Sequence, residues 1–491
     1  MSVGGDTTGG AQHSRKVLSL QSMNANIRAM QYAVLGPMEV RARQLELELK
    51  QGTGKPFDSV IRANIGDCHA MDQIPVTYIR QVLGLCLNNS LLTSPDFPED
   101  AKDHARRILS ACRGHSLGSY TEGVGIDIIH RSVADFIQRR DGGVQARPKD
   151  VIITEGATEG IINILKMLNQ PRDGKPTGVL VPVPQYPLYS ATLTEFAMAQ
   201  VNYSLDEEHN WALDIAELKR AIDECRSRCN PAAIVVINPG NPTGQVLTEE
   251  NIRDVIRFAQ EEGLFLIADE VYQDNVYGKD STFHSFKKVM MQMGSPYYKM
   301  ELASFYTASK GLVGECGLRG AFMEVINMDP DVRAMLTKLF TVSHPNTVGQ
   351  VCIDCAVNPP KPGDPSYATF TSEREGILVS LAERAQLVTD AFNSIPGVQC
   401  NEVQGSMFAF PRLDLPAKLI SQAKRLGQEP DYFYASQLLE HTGVFVVPGS
   451  GFGQKPGTFH FRTTILPSPE LLKKMVQRFR VFHEKFIQSF M

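Results

Sequence analysis

The chain has 491 residues, 43% of them hydrophobic and 21% charged, with a formal net charge of -5 at pH 7. At ~150 residues per domain this is room for about two to four domains with sizeable cores, and the mildly acidic balance carries no basic footprint for nucleic acid. No run reaches the ~18 uninterrupted apolar residues of a membrane span, so no membrane partner is expected.

The first residues, MSVGGDTTGGAQHSR, are polar and rich in Gly and Thr, without the apolar core of a secretory signal. Residues 1–22 therefore read as a flexible N-terminal segment. Acids are sparse before Glu39, which keeps a mitochondrial matrix location open beside the expected cytoplasmic one. GPMEVRARQLELELKQG (36–52) has a helical pattern and SVIRANIG (59–66) that of a strand, so residues 23–74 are assigned to the first part of a small domain.

Residues 75–358 are assigned to a large domain. From about 150 to 326, short apolar runs alternate with amphipathic ones, the pattern of parallel strands joined by crossover helices. DVIIT (150–154) leads into a helix on which Ile161, Ile164, Leu165 and Leu168 share a face, and GVLVPV (178–183) and AAIVVI (232–237) are further strands. Thr248 is placed to cap a helix whose apolar stripe is Ile252, Val255, Ile256 and Ala259, with Gly263 as its stop. LFLIAD (264–269), ELASFY (301–306) and GAFMEVI (320–326) follow, giving an α/β domain with a mostly parallel, seven-stranded sheet. PPKPGDPS (359–366) is a hinge, after which 359–491 reads as the C-terminal part of a smaller, discontinuous α+β domain. That part holds a long helix, the strand-like runs FAF, VFVVP and TFHFRTTIL, and a last helix capped by Ser468 with Pro469 first.

The nine cysteines form no disulfide framework and no paired zinc motif, and the one CxxC, Cys352 to Cys355, sits in an apolar helical run where buried thiols are expected. No metal site is expected. Chemistry concentrates elsewhere. Asp269 ends an apolar strand, where an unpaired carboxylate costs several kcal/mol, so it wants an arginine, a metal or the protonated ring nitrogen of a cofactor. Tyr272 lies near the same strand end. In SFYTASKGLVGECGLRG another strand runs into Thr307, Ser309 and Lys310, then glycines and Arg319, a polar pocket suited to an anion. Lys310 is either a Schiff-base nucleophile or a solvated loop lysine. EGATEG (155–160) offers a close backbone approach at Gly156 and Ala157, the hydroxyl of Thr158 and a helix N-terminus for phosphate.

NPGNPTG (238–244), ADEVY (268–272), TASK (307–310) with Arg319, and FRTT (461–464) together resemble the fold-type I pyridoxal-phosphate aminotransferases. GAT, PQYPLYSA, GECGLRG, VVPGSGFGQ and FHFRTTILP narrow the resemblance to the alanine aminotransferase family. It runs from about Asn24 to the C-terminus. It implies pyridoxal 5'-phosphate as cofactor, with Lys310 as Schiff-base lysine and proton shuttle and Asp269 on the pyridine nitrogen. Tyr272 and Asn241 would hold the ring oxygen, Tyr186 would stack on the ring face, and Asn238 would shape its loop. Gly156, Ala157, Thr158, Thr307, Ser309 and Arg319 would bind the phosphate. It also implies Arg462 as the α-carboxylate clamp, closed over by the backbone of Gly66, with Asn241 and Tyr186 beside the substrate. Tyr120 would reach the phosphate of the neighbouring subunit in a homodimer with shared sites.

The implied reaction is L-alanine plus 2-oxoglutarate to pyruvate plus L-glutamate by a ping-pong route. Transfer between glutamate and glyoxylate is the alternative. Asp72 stands where the family favours glycine, Leu318 where it favours an aromatic, and Thr307 replaces a serine. A nicotinamide dehydrogenase would need a glycine fingerprint that is absent, and a silent binding domain would have lost Lys310.

Overall fold

The structure, a computed structural model, describes residues 17–32, 36–52 and 54–491. Most of the segment 1–22 thus lies outside the described residues. Seven strands build the central sheet: β1 (Val151–Glu155), β2 (Thr177–Val183), β3 (Ala199–Ser204), β4 (Asn230–Ile237), β5 (Phe265–Asp269), β6 (Leu302–Thr307) and β7 (Gly320–Ile326). Their spatial order is β1-β7-β6-β5-β4-β2-β3. All neighbours are parallel except around β7, which runs opposite to both β1 and β6.

The strands are continuous apolar runs because helices cover both faces. Val179, Val181, Val235, Ile237 and Ile267 pack with Ile161, Ile164 and Leu165 on one side. Their alternates Leu180, Ile234, Val236 and Leu266 meet Leu218, Ile222, Ile252, Val255 and Ile256 on the other. Each such side chain contributes about 1.5–3 kcal/mol on burial, so a one-residue slip in any strand would invert two cores at once. Helix Glu249–Glu262 begins at Thr248, whose hydroxyl accepts from the Asn251 N–H, and ends at Gly263 in the left-handed region, as its pattern predicts.

β3 is the strand that the sequence pattern does not announce. AQVNYS buries only Val201 and Tyr203, while Gln200 and Asn202 face outward and bond to each other at 2.7 Å. It is an edge strand with a single partner, and an edge needs only half the apolar residues of an interior strand.

A second core unites the two ends of the chain. Met38, Leu45, Phe57 and Ile61 pack with Leu381, Val388, Phe392, Leu438, Phe461 and Phe479. Helix Pro37–Lys50 forms within the segment read as helical. The long helix Tyr367–Asn393 spans both bodies, with Phe370 against Tyr78 at its start and Leu381 to Phe392 in the second core. The expected strand 59–66 is a correction: only Ile61–Arg62 pairs, parallel to Val444–Phe445. The rest leaves the ladder because its carbonyls serve side chains, Asn64 that of Arg462 and Gly66 that of Lys310.

Asp72 takes a left-handed conformation, φ 64°, which explains why a glycine is the easier residue there. Leu318 packs among the partly buried residues of the helical layer over β1 and β7. Cys352 and Cys355 are buried in helix Thr347–Val357.

Candidate active site

Register brings the chemistry to one end of the sheet. Ile237 pairs with Asp269 and Asp269 with Phe305, so the loops after β4, β5 and β6 leave side by side. The reversed strand β7 starts where β1 and β6 end: Gly320 pairs with Glu155 and Ala321 with Thr307. That single antiparallel strand is what joins Gly156, Thr307 and Arg319 at one corner. The cleft lies outside the carboxyl ends of the parallel strands, where open α/β sheets bind ligands.

A cavity of about 360 Å³ opens there. Its walls hold Gly66, Ala157, Thr158, Tyr186, Asn241, Asp269, Tyr272, Thr307, Ser309, Lys310, Arg319 and Arg462, all singled out from sequence. Gly156 adjoins it, with φ +79°, and a Cβ there would stand 2.0 Å from Arg319 Nη2. Only a glycine lets the backbone come so close to the guanidinium. Tyr120 stands apart from this cavity, 80% exposed, with its ring 5.5 Å from that of His344.

Three charged groups decide what the cavity can hold. Lys310 Nζ donates to the Gly66 carbonyl at 2.6 Å, tying the loop of the second body to the end of β6. Asp269 is fully buried; its Oδ2 accepts from the Tyr189 hydroxyl at 2.8 Å and its Oδ1 has no partner. Burial pushes its carboxyl up to about 6, against the pull of the Tyr189 hydroxyl and, more weakly, of the Val271 backbone N–H. Arg462 is only 2% exposed and makes no ion pair among the described residues. Its Nη1 donates to Asn241 Oδ1 at 3.1 Å and its Nη2 to the Asn64 carbonyl at 2.5 Å, while Nε is unsatisfied. The guanidinium lies between the rings of Phe408 and Phe452, at 4.1 and 4.7 Å, and burial lowers it to about 10.

An orphan carboxylate oxygen and an uncompensated guanidinium in one cavity are costly unless a ligand completes them. The first calls for a cationic N–H, the second for a carboxylate. Another corner of the cavity is built from neutral and positive donors that suit an anion. Helix Ala157–Leu168 presents its N-terminus, Arg319 Nη1 lies 3.4 Å from Ser309 Oγ, and Thr307 Oγ1 accepts from the Ser309 N–H at 3.1 Å. These residues fit a phosphorylated pyridinium cofactor: Asp269 Oδ1 for its ring nitrogen, the Gly156 cradle for its phosphate and Lys310 for its carbonyl carbon.

The loop NPGNPTG is held at both ends by Asn238, whose N–H donates to the Asp269 carbonyl at 3.0 Å and whose Oδ1 accepts from the Leu247 N–H at 2.9 Å. Asn241 is thereby aimed into the cavity. Three contributors escape the sequence reading: Tyr189, Tyr32 and Phe408. A signal existed for Tyr189, which follows Tyr186 by three residues in PQYPLYSA and whose N–H bonds the Tyr186 carbonyl at 3.2 Å just inside helix Leu188–Glu195. Tyr32 and Phe408 are brought in only by tertiary structure. Among the described residues no cluster of three or more His, Cys, Asp or Glu is arranged for a metal ion, and no helix is long and apolar enough to cross a membrane.

The raised carboxyl of Asp269 makes a testable statement about the cofactor-free protein. A folded-state value near 6 against 3.8 unfolded means that the folded chain holds the extra proton between these pH values. The contribution of Asp269 to stability therefore falls as pH rises from about 4 to above 6, by on the order of 3 kcal/mol. Asp269→Asn is expected to gain stability relative to the parent over that interval in parallel denaturant titrations. Parallel curves at every pH would mean that Asp269 carries no burial penalty.

The chain matches the family described as aminotransferase class I and II over residues 80–479. It is 55% identical to alanine aminotransferase 1 of Bos taurus, covering 97% of this chain and 96% of that one. To alanine aminotransferase 1 of Homo sapiens it is 54% identical, covering 98% of each. Among solved structures, an alanine aminotransferase from Pyrococcus furiosus superposes with a TM-score of 0.74 at 23% identity, over 94% of this chain and all of the other, which speaks for the fold alone.

Proposed function

This chain belongs to the class I and II aminotransferases, and from that premise we propose that it moves the amino group of L-alanine to 2-oxoglutarate, giving pyruvate and L-glutamate by a ping-pong mechanism. The observation that carries the reading is the trio of Arg462, Lys310 and Asp269 in one cavity: a bare cation, an amine and a bare anion. They match a substrate carboxylate, a carbonyl to be condensed and a ring nitrogen to be held protonated. The identity to alanine aminotransferases over nearly the whole chain supports the choice of alanine.

Pyridoxal 5'-phosphate, the cofactor of this family, supplies the electron sink when bound. Asp269 keeps the proton on the ring nitrogen, and Tyr189 fixes the orientation of its carboxylate. Arg462 clamps the substrate α-carboxylate with two N–H groups, orienting the α-C–H bond, and Gly66 closes over that end. Lys310 Nζ would hold the cofactor at its carbonyl carbon and, when free, is the base placed to take the proton from the substrate α-carbon. Asn241 and Tyr272 donate to the ring oxygen, and Tyr186 covers a ring face. Gly156, Ala157, Thr158, Thr307, Ser309 and Arg319 grip the phosphate, with Tyr120 of a second copy completing that corner in a homodimer. The cytoplasm is the compartment we assign, the mitochondrial matrix being the alternative.

The test is product analysis of purified holoenzyme with alanine as donor and either 2-oxoglutarate or glyoxylate as acceptor. Pyruvate and glutamate form at the higher kcat/KM, with parallel-line kinetics. A clear preference for glyoxylate would overturn the choice of acceptor, and no pyruvate with either would overturn the function.

A further inference from the structure

One site has to serve both a three-carbon amino acid and a five-carbon dicarboxylate, and the residues in its walls raise a charge problem. The described cations lining the cavity are Lys310, Arg319 and Arg462. In the reading proposed above each is already committed, to the carbonyl carbon, the phosphate and the α-carboxylate. No fourth cation among the described lining residues waits for the distal carboxylate of glutamate.

The same wall does hold a neutral hydroxyl pair, Tyr32 and Tyr186. Tyr32 lies on the N-terminal arm, just after helix Ala25–Ala29, and the Asn26 amide anchors that arm to the Glu195 carbonyl at 3.2 Å. The Tyr32 hydroxyl is 2.9 Å from that of Tyr186, and the pair is half-buried. Tyr32 lines the active-site cavity and also a second one walled by Gln185, Ser190 and Phe452, so it lies where the two adjoin.

Two hydroxyls that share one hydrogen bond keep one proton uncommitted. That proton can turn toward a carboxylate and form a charge-assisted bond. With alanine in place the pair stays satisfied by its mutual bond, and no charge is left bare. A guanidinium at this position would be left without a partner in every alanine half-reaction. A neutral, self-satisfying donor is the arrangement that lets one pocket accept both substrates.

We infer that Tyr32, backed by Tyr186, is the residue that recognises the distal carboxylate of glutamate and 2-oxoglutarate; this rests on the aminotransferase reading above. The experiment compares Tyr32→Phe holoenzyme with the parent in single-turnover half-reactions with glutamate and with alanine. Equilibrium binding of glutarate and of propionate is followed in parallel by fluorescence. The variant loses about 10- to 100-fold in kcat/KM for glutamate, as expected for one hydrogen bond to a charged group, and less than about threefold for alanine. Glutarate affinity falls by a similar factor while propionate affinity holds. Equal losses for both amino acids, or an undisturbed glutamate half-reaction, would overturn the assignment of Tyr32. If the parent itself reacts with neither amino acid, the functional reading fails first and takes this inference with it.

Discussion

Lys310→Ala lowers turnover with alanine and 2-oxoglutarate by at least about 10⁴-fold, the upper end of what a positioned proton-transfer group contributes. The magnitude follows from position. Lys310 is the one amine among the described residues of the cavity wall, held at the end of β6 by the Thr307–Ser309 turn and steadied by the Gly66 carbonyl. Asn241, Tyr272 and Tyr186, the polar groups nearby, do not offer a basic nitrogen. The fold tolerates the change, because alanine fits any space lysine fills and, among the described residues, Lys310 is in no ion pair and the only bond lost is that to the Gly66 carbonyl, about 1 kcal/mol. The check is steady-state kinetics alongside visible absorbance: the variant melts like the parent but loses the band of the lysine-linked cofactor. A variant that transaminates at the parent rate would remove Lys310 from the mechanism.

Arg462→Lys is expected to cut kcat/KM by about 10²- to 10⁴-fold for alanine and glutamate alike. A bidentate clamp makes two charge-assisted bonds of ~1.5–3 kcal/mol each, and about 1.4 kcal/mol corresponds to tenfold. Lysine keeps the charge but not the planar fork, and it cannot fill the slot between Phe408 and Phe452. Because the α-carboxylate is common to both substrates, both half-reactions suffer together. This separates Arg462 from Tyr32, whose loss is confined to the dicarboxylate. Stopped-flow half-reactions with the two amino acids measure it, and a fall of less than about threefold in either would contradict the clamp.

Much of the large body is legible in the sequence because its strands are buried on both faces. AAIVVI and LFLIAD cannot be read as anything amphipathic, and Thr248 and Gly263 mark the helix between them. β3 escapes because an edge strand alternates weakly. Helices Thr77–Leu87, Glu99–Ala111 and Asp127–Arg140 escape because they carry packing and no motif. In the smaller body, SVIRANIG fails as a strand for a reason that belongs to the site: the carbonyls of Asn64 and Gly66 are spent on Arg462 and Lys310.

The candidate site is legible residue by residue, but not its internal wiring. That Asp269 needs a cation follows from its place at a strand end, yet its support by Tyr189 depends on how helix Leu188–Glu195 docks. That Arg462 needs an anion becomes compelling only when the structure shows it buried between two rings without a carboxylate. Tyr32 illustrates the limit. Nothing in its local sequence sets it apart, and its interest comes from a hydroxyl 154 residues away in the chain.

The most direct measurement is the single-turnover half-reaction of purified holoenzyme with alanine, glutamate, aspartate and glycine side by side, without an acceptor. Alanine and glutamate are expected to convert the enzyme fully and fastest, releasing pyruvate and 2-oxoglutarate, with aspartate and glycine slower by at least about tenfold. Fastest conversion by aspartate, or no conversion by alanine, would contradict the reading of this cavity as an alanine–glutamate aminotransfer site.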